Sequence, residues 1–222
     1  MHIGTDDHVR LSDAVRAAED GTAGEIVTII ADRSDAYHDV GLHYAILAML
    51  LVPVVFAAFP TWPDAILNLI TSGWGEREVS ALYVLLFFLM ASVFLIVRYT
   101  LAIMPLRLAL TPRATRRRRV RRRAIDLFKV GTEKRTTGRT GILIYLSMGE
   151  HMAEIVADEA IYTRVPDTEW GDAMAAMIEQ VAAGRVTDGM IAAVERVGGL
   201  LSAHLPRAAD DKNELCDRVI EL

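Results

Sequence analysis

Two long uncharged segments set the strongest limit on what this chain can fold into. Residues 42–59 run without a charge, interrupted only by His43 and Pro53, and residues 80–97 do the same before ending at Arg98. Built as helices at about 1.5 Å per residue, each would span about 27 Å, close to the hydrocarbon thickness of a bilayer. Core helices of soluble domains seldom run this far without a charge, so the expectation is a two-helix transmembrane hairpin rather than a buried pair. Pro53 fits that reading, because a neighbouring helix can satisfy the carbonyl that proline leaves unbonded.

The flanks supply an orientation. The linker, residues 60–79, carries Asp64, Glu76 and Glu78 against Arg77, whereas the second segment is followed by Arg107 and then by an arginine run. That run is Arg113, Arg116, Arg117, Arg118, Arg119, Arg121, Arg122 and Arg123, with no acid among them. The positive-inside asymmetry puts it in the cytoplasm and the linker outside, so a two-pass chain in the inner (plasma) membrane would keep both termini cytoplasmic. Trp62, Trp74 and Tyr83 are placed as outer-interface anchors, and the stretch from Asp64 to Ile70 reads as a short interfacial helix. The run itself reads as a topology signal and a contact for anionic lipids. It has no interleaved aromatics and adjoins the membrane, which argues against a nucleic-acid surface. An acidic partner, or an acidic face of the chain's own domain, is the remaining reading.

The rest of the chain is the complement of that run. Net charge is −5, so without those eight arginines the chain stands at −13. Cys216 is the one cysteine, which excludes an intramolecular disulfide. The polar stretch 1–10 lacks the apolar region of a cleavable signal.

The soluble parts read as halves of one α/β domain. Before the hairpin, residues 7–18 have helical apolar spacing, and Glu25-Ile26-Val27-Thr28-Ile29-Ile30-Ala31 is a β-branched run expected to be a buried strand. One strand and one helix cannot enclose a core, so the sheet partners must follow the hairpin. A helix is expected over 120–129, strands over 142–146 and 153–157, and helices over 168–183 and 187–203, the last capped by Thr187 or Asp188. A polar tail, 207–222, closes the chain. Strands one and two are joined by a helical crossover and should be parallel; the short link between two and three makes that pair antiparallel. Asp32 and Ser147 should therefore end their strands at one end of the sheet, and Asp158 and Glu159 at the opposite end, which the hairpin's exit from the Asp32 end would turn toward the cytosol.

The pattern resembles the TPM domain, named for TLP18.3, Psb32 and MOLO-1 proteins. Gly24-Glu25-Ile26-Val27-Thr28-Ile29-Ile30 is similar to that family's first strand. Ala124-Ile125-Asp126-Leu127-Phe128 and Thr140-Gly141-Ile142-Leu143-Ile144-Tyr145-Leu146-Ser147 resemble its next helix and second strand, and Ala153-Glu154-Ile155-Val156-Ala157-Asp158 its third. Asp188-Gly189 before an apolar helix, and the closing stretch from Asn213 to Leu222, are similar to later features of short bacterial members. The resemblance implies a small sheet sandwiched by helices, here interrupted by the transmembrane hairpin. It divides the chain into 1–41, first part of the TPM-like domain; 42–104, hairpin and outer loop; 105–206, basic segment and remainder of the domain; and 207–222, tail. With that fold signature and no clear catalytic constellation in the sequence, the first expectation is a membrane-anchored interaction or assembly module with a protein partner. The resemblance itself implies the alternative, a divalent-metal-dependent, acid-phosphatase-like enzyme, since some relatives are described as acid phosphatases or bind calcium through aspartates at one end of the sheet. Two family segments are not matched: the aspartates ahead of the first helix, and the glycine-rich stretch after strand three, where this chain has Asp158-Glu159-Ala160-Ile161.

Asp158 and Glu159 are the candidate ligands for Ca²⁺ or Mg²⁺, because adjacent acids at a strand end can supply two of the oxygens a hard cation needs; an acid pair opening a helix is the plainer reading. Asp32, Asp35 and Asp39 read as capping residues for the helix entering the membrane. Gly138-Arg139-Thr140 lacks the lysine, the upstream glycine and the following helix of a phosphate loop. His151 with Glu154 reads as a solvated pair, Cys216 has no neighbouring base, and Ser147 lacks the glycine context of a nucleophile elbow.

Overall fold

A computed structural model describes residues 3–71, 79–131, 140–207 and 219–222. Trp74, Gly138, Arg139 and Cys216 lie outside the described residues. The chain divides into two compact units, one made of Met1–Asp35 and Arg113–Leu222, the other of Ala36–Pro112.

The first unit is built on four strands, β1 (Glu25–Ala31), β2 (Gly141–Ser147), β3 (Met152–Ala157) and β4 (Ile220–Glu221), in the order β3-β2-β1-β4. β1 and β2 are parallel, from Glu25 opposite Gly141 to Ala31 opposite Ser147, and β2 and β3 are antiparallel, both as their connections require. Every residue of β1 and β2 is buried. Central strands covered on both faces need a continuous apolar run rather than an alternating one, and that is what the two sequences supply.

Helices cover both faces. On one, α1 (Thr5–Glu19), α8 (Asp167–Ala182) and α9 (Val186–His204) enclose the larger core, in which Leu11, Val15, Met177, Met190, Val194 and Leu201 meet Ile26, Ile142 and Ile144. Each such apolar side chain stabilises the fold by about 1.5–3 kcal/mol relative to an exposed one. On the other face, Val120, Ala124 and Phe128 of α6 (Arg113–Gly131) pack on Val27, Ile29, Leu143 and Tyr145. α7 (Glu159–Tyr162) is a single turn after β3.

Several expectations are corrected. α6 begins at Arg113, not at residue 120, so the arginine run is helical; arginine is a good helix former, and Arg119 and Val120 tie the run to the rest of the domain. α9 begins at Val186 behind Arg185, with no side-chain cap, and Thr187 and Asp188 lie inside its first turn. The Asp188 carboxylate instead accepts a hydrogen bond from Arg10 Nη2 of α1 at 2.6 Å. The last residues of the chain join the sheet: β4 adds to β1 in parallel, Ile29 opposite Ile220, with Asp32 N donating to Leu222 O at 2.8 Å.

The second unit contains α2 (His38–Ala58), α3 (Thr61–Thr71), α4 (Val79–Thr100) and α5 (Met104–Leu110). α2 packs against α4, and α3 falls where the short interfacial helix was expected. The unit starts and ends nearer the first unit than the expected boundaries at 41 and 105, and Arg107 shows why. Its guanidinium is buried, with Nε donating to Leu101 O at 2.7 Å and Nη1 to Ala36 O at 2.5 Å. A buried cation held by main-chain carbonyls joins the residues before α2 to those after α4. None of Asp32, Asp35 and Asp39 stands at the cap position of α2: its N-cap is Tyr37, in the left-handed region at φ 51°, with no side-chain cap bond of its own, and Asp39 lies in the first turn.

α2 and α4 are long and apolar enough to cross a membrane. Only 22% of the apolar window of α2 is buried, and none of that of α4. Soluble core helices of this composition would be mostly covered.

Candidate functional site

Three places in the sheet domain bring polar side chains together, and they differ in what they leave accessible. The first is at the C-terminal ends of the parallel strands β1 and β2. Tyr145 and Ser147 end β2, Ser34 follows β1, and Glu150 lies in the turn before β3. Tyr145 O–H donates to Ser34 Oγ at 2.9 Å, Ser34 donates to Ser147 Oγ at 2.9 Å, and Ser147 donates to a Glu150 carboxylate oxygen. Ser34 N also donates to that carboxylate, at 3.0 and 3.2 Å. The directions follow from counting protons, since each hydroxyl has one to give. Met148 N to Ala31 O and Gly149 N to Asp32 O continue the link along the main chain. Ser147 is fully buried and Glu150 is 2% exposed, and burial raises the pKa of Tyr145. This network ties the two strand ends together and holds no hydroxyl open to a substrate. Ser34 and Glu150 are 116 positions apart, so no local motif could have announced their pairing.

The second place is Asp158-Glu159. Their position at the opposite end of the sheet is as expected, but Asp158 is 7% exposed and already bonded. Its Oδ2 accepts from Gly141 N at 3.0 Å, while its own N–H donates to Gly141 O. The side chain thus closes the start of β2 onto the end of β3. Glu159 is exposed in the first turn of α7, and Lys129 lines the same cavity as both acids. An ammonium there opposes a second cation. Among the described residues, no group of three or more His, Cys, Asp or Glu is placed to hold a metal ion.

The third place is the edge strand β3. A groove of about 460 Å³ lies beside it, lined by Arg121 and Ile125 of α6, by Trp170, Gly171 and Met174 of α8, and by Tyr162. Its floor is Glu154, Ile155, Val156 and Ala157. Glu154 and Val156 belong to the α6 face of the sheet, and Ile155 and Ala157 to the α8 face, as strand alternation dictates. Burial raises the pKa of Glu154, while the charges of Arg121 and Arg117 pull it back down. His151, the expected partner of Glu154, sits in the turn before β3 with φ 52°, and no bond joins the two among the described contacts.

The arginine run has separate local roles. Arg119 Nη1 bonds Asp35 Oδ2 at 2.8 Å, and Arg116 is half-buried with an Nε lacking a partner among the described residues. Arg113, Arg117, Arg118, Arg121, Arg122 and Arg123 are exposed. Arg123 lies near enough to Tyr145, and Arg117 and Arg121 near enough to Glu154, for their charges to act on those groups.

Comparison with known proteins agrees with this architecture. Residues 106–200, somewhat under half of the chain, match the family model described as TPM domain. No curated protein matches the sequence. Among solved structures, the NMR structure of the BA42 protein from the psychrophilic bacterium Bizionia argentinensis superposes with a TM-score of 0.57 and 17% identity, covering 100% of this chain and 97% of that one. At that identity the likeness concerns the fold. The matched segment starts before the arginine helix and ends within α9, so the part of this chain that is similar to a TPM domain contains β2, β3 and the residues lining the groove beside β3.

Proposed function

We propose that the protein is a bilayer-anchored interaction module, with α2 and α4 as the anchor and the TPM domain as the part that meets a protein partner. The observation that carries the anchor is the exposure of two long apolar helices, charged only near their ends at Asp39 and Arg98. A water-exposed apolar surface of that extent is not stable in a soluble monomer. The arginine run on α6 follows the second of these helices, so the positive-inside rule assigns both termini and the TPM domain to the cytoplasmic face of the inner membrane, with anionic lipids as a contact of the run.

Interaction rather than turnover is favoured by what each polar cluster leaves free. The hydroxyls and carboxylate at the ends of β1 and β2 are closed on one another, and Asp158 is bonded within the fold. The β3 groove is open and mostly apolar, which suits recognition. The phosphatase alternative would act at Asp158 and Glu159 with Ca²⁺ or Mg²⁺, beside Lys129.

Two measurements test this reading. The full chain should stay in the membrane pellet after an alkaline carbonate wash; release into the supernatant refutes the anchor. Photo-crosslinkers placed in turn at Arg10, Glu195 and Tyr162 in native membranes should give a discrete protein adduct from at least one site. Absence of adducts from all three, with purified protein hydrolysing a generic phosphomonoester in a Ca²⁺- or Mg²⁺-dependent way that Asp158→Ala removes, would replace this reading with the enzymatic one.

A further inference from the structure

We propose that the free edge of β3 takes up an extended acidic segment of a partner protein as an added strand. The proposal rests on the interaction reading and specifies its binding mode.

The sheet ends at β3, and no described strand pairs with its outer side. β3 is six residues long with neither a bulge nor a proline, two of the devices that block an edge, and Glu154 is its one charge. The opposite edge is only the two-residue β4. The ladder phase identifies which groups are available. Asp158 N donates to Gly141 O, so Gly141 and Asp158 form a bonded pair. Bonded pairs alternate in an antiparallel ladder, which makes Val156 and Glu154 the next two turned toward β2. Ala157, Ile155 and Ala153 then turn their N–H and C=O groups outward, toward the groove.

The walls select the chemistry of the strand that would pair there. Side chains of an added strand must alternate between the two faces of the sheet, as those of β3 do. On the α8 face they would meet Trp170 and Met174, which favours apolar residues. On the α6 face they would meet Arg121 and its neighbour one turn away, Arg117, on a helix with no acid from Arg113 to Ile125. Among the described residues, Glu154 is the one carboxylate lining the groove, against this pair of arginines and the exposed Arg118 and Arg122 beyond them. The fit is to a segment alternating apolar and acidic residues, with main-chain bonds giving affinity and the two walls giving specificity.

The test uses the full chain in detergent micelles and a fluorescein-labelled decapeptide of alternating valine and glutamate. Saturable binding is expected. Arg121→Glu should weaken it about tenfold or more, since reversing the charge replaces attraction by repulsion. Ile155→Pro should abolish it by removing an outward donor. Because that substitution could disturb β3, the same peptide N-methylated at alternate residues is the matched control on the unaltered protein, and it should not bind. Equal binding of the N-methylated peptide, or of a valine–lysine peptide, overturns the proposal, as does no saturable binding of the first peptide. Binding of phosphatidylserine vesicles without peptide binding would assign the arginines to lipid headgroups and overturn it too. Crosslinked adducts from Arg10 or Glu195 but none from Tyr162, which lines the groove, would leave the interaction reading standing while removing β3 as its site.

Discussion

Glu150 and Glu154 are four residues apart, and the fold treats them in opposite ways. Glu150 is sealed but saturated, accepting from Ser147 Oγ and Ser34 N. Glu150→Ala would leave a buried hydroxyl and a main-chain N–H without their acceptor, and we expect a loss of about 2–4 kcal/mol, read from the thermal unfolding of the full chain in detergent. Glu150→Gln keeps one acceptor and should lose less. Glu154 is half-buried, and desolvation raises its pKa against the pull of Arg121 and Arg117. The folded chain therefore holds that proton to higher pH than the unfolded one. Stability falls as pH rises from the ordinary carboxylate range through the raised value, and stays lower above it. Glu154→Gln removes the penalty. The variant should melt above the unaltered chain at neutral pH, with the difference closing below about pH 3.5, where the glutamate is protonated in both the folded and the unfolded chain. A variant that melts lower at pH 7 would show that the attraction of Arg117 and Arg121 outweighs burial.

At the scale of elements, close approach decides where side chains are tolerated. α9 crosses α1 at Gly198, where an added Cβ would lie 2.5 Å from Ala18 Cβ and 3.0 Å from Ala18 Cα. Both atoms belong to a rigid helix, so one of the pair must move. Gly198→Ala should destabilise the protein by about 1–3 kcal/mol, despite the roughly 1 kcal/mol that alanine contributes as a helix former, and Gly198→Val by more. A melting point unchanged by Gly198→Ala would show that α1 can slide at no cost. The elements that could be foreseen from sequence share a local cause. β1, β2 and β3 are apolar runs whose bounds differ from the expected ones by a residue at most, and their pairing directions follow from connection lengths alone. β4 could not be foreseen, because Ile220 and Glu221 become a strand only through pairing with β1, almost two hundred positions earlier. The groove falls between these cases. Arg121 and Trp170 can be read as charged and apolar residues on two helices, but nothing local says that both flank the open side of β3.

At the scale of the molecule, the chain interrupts a domain with a second unit, and the ends of the interruption bound how much the domain depends on it. Arg119 bonds Asp35 at 2.8 Å, and six helical residues, about 9 Å of rise, separate Arg119 from Arg113. Asp35 and Arg113 are therefore within reach of a short connection, and an eight-residue Gly/Ser linker spanning up to about 26 Å could join them. Exchanging residues 36–112 for such a linker changes loop-closure entropy by only about 1–2 kcal/mol, and in the favourable direction, because the loop becomes shorter. The sheet domain keeps its two apolar clusters, both of which lie wholly within Met1–Asp35 and Arg113–Leu222. We expect the shortened chain to be recovered without detergent, to unfold cooperatively, and to bind the valine–glutamate peptide with the affinity of the full chain. Aggregation, or a melt without cooperativity, would mean that α2, α4 and the Arg107 clasp hold the domain together as well as anchoring it, and the division into an independent anchor and an independent recognition domain would have to be abandoned.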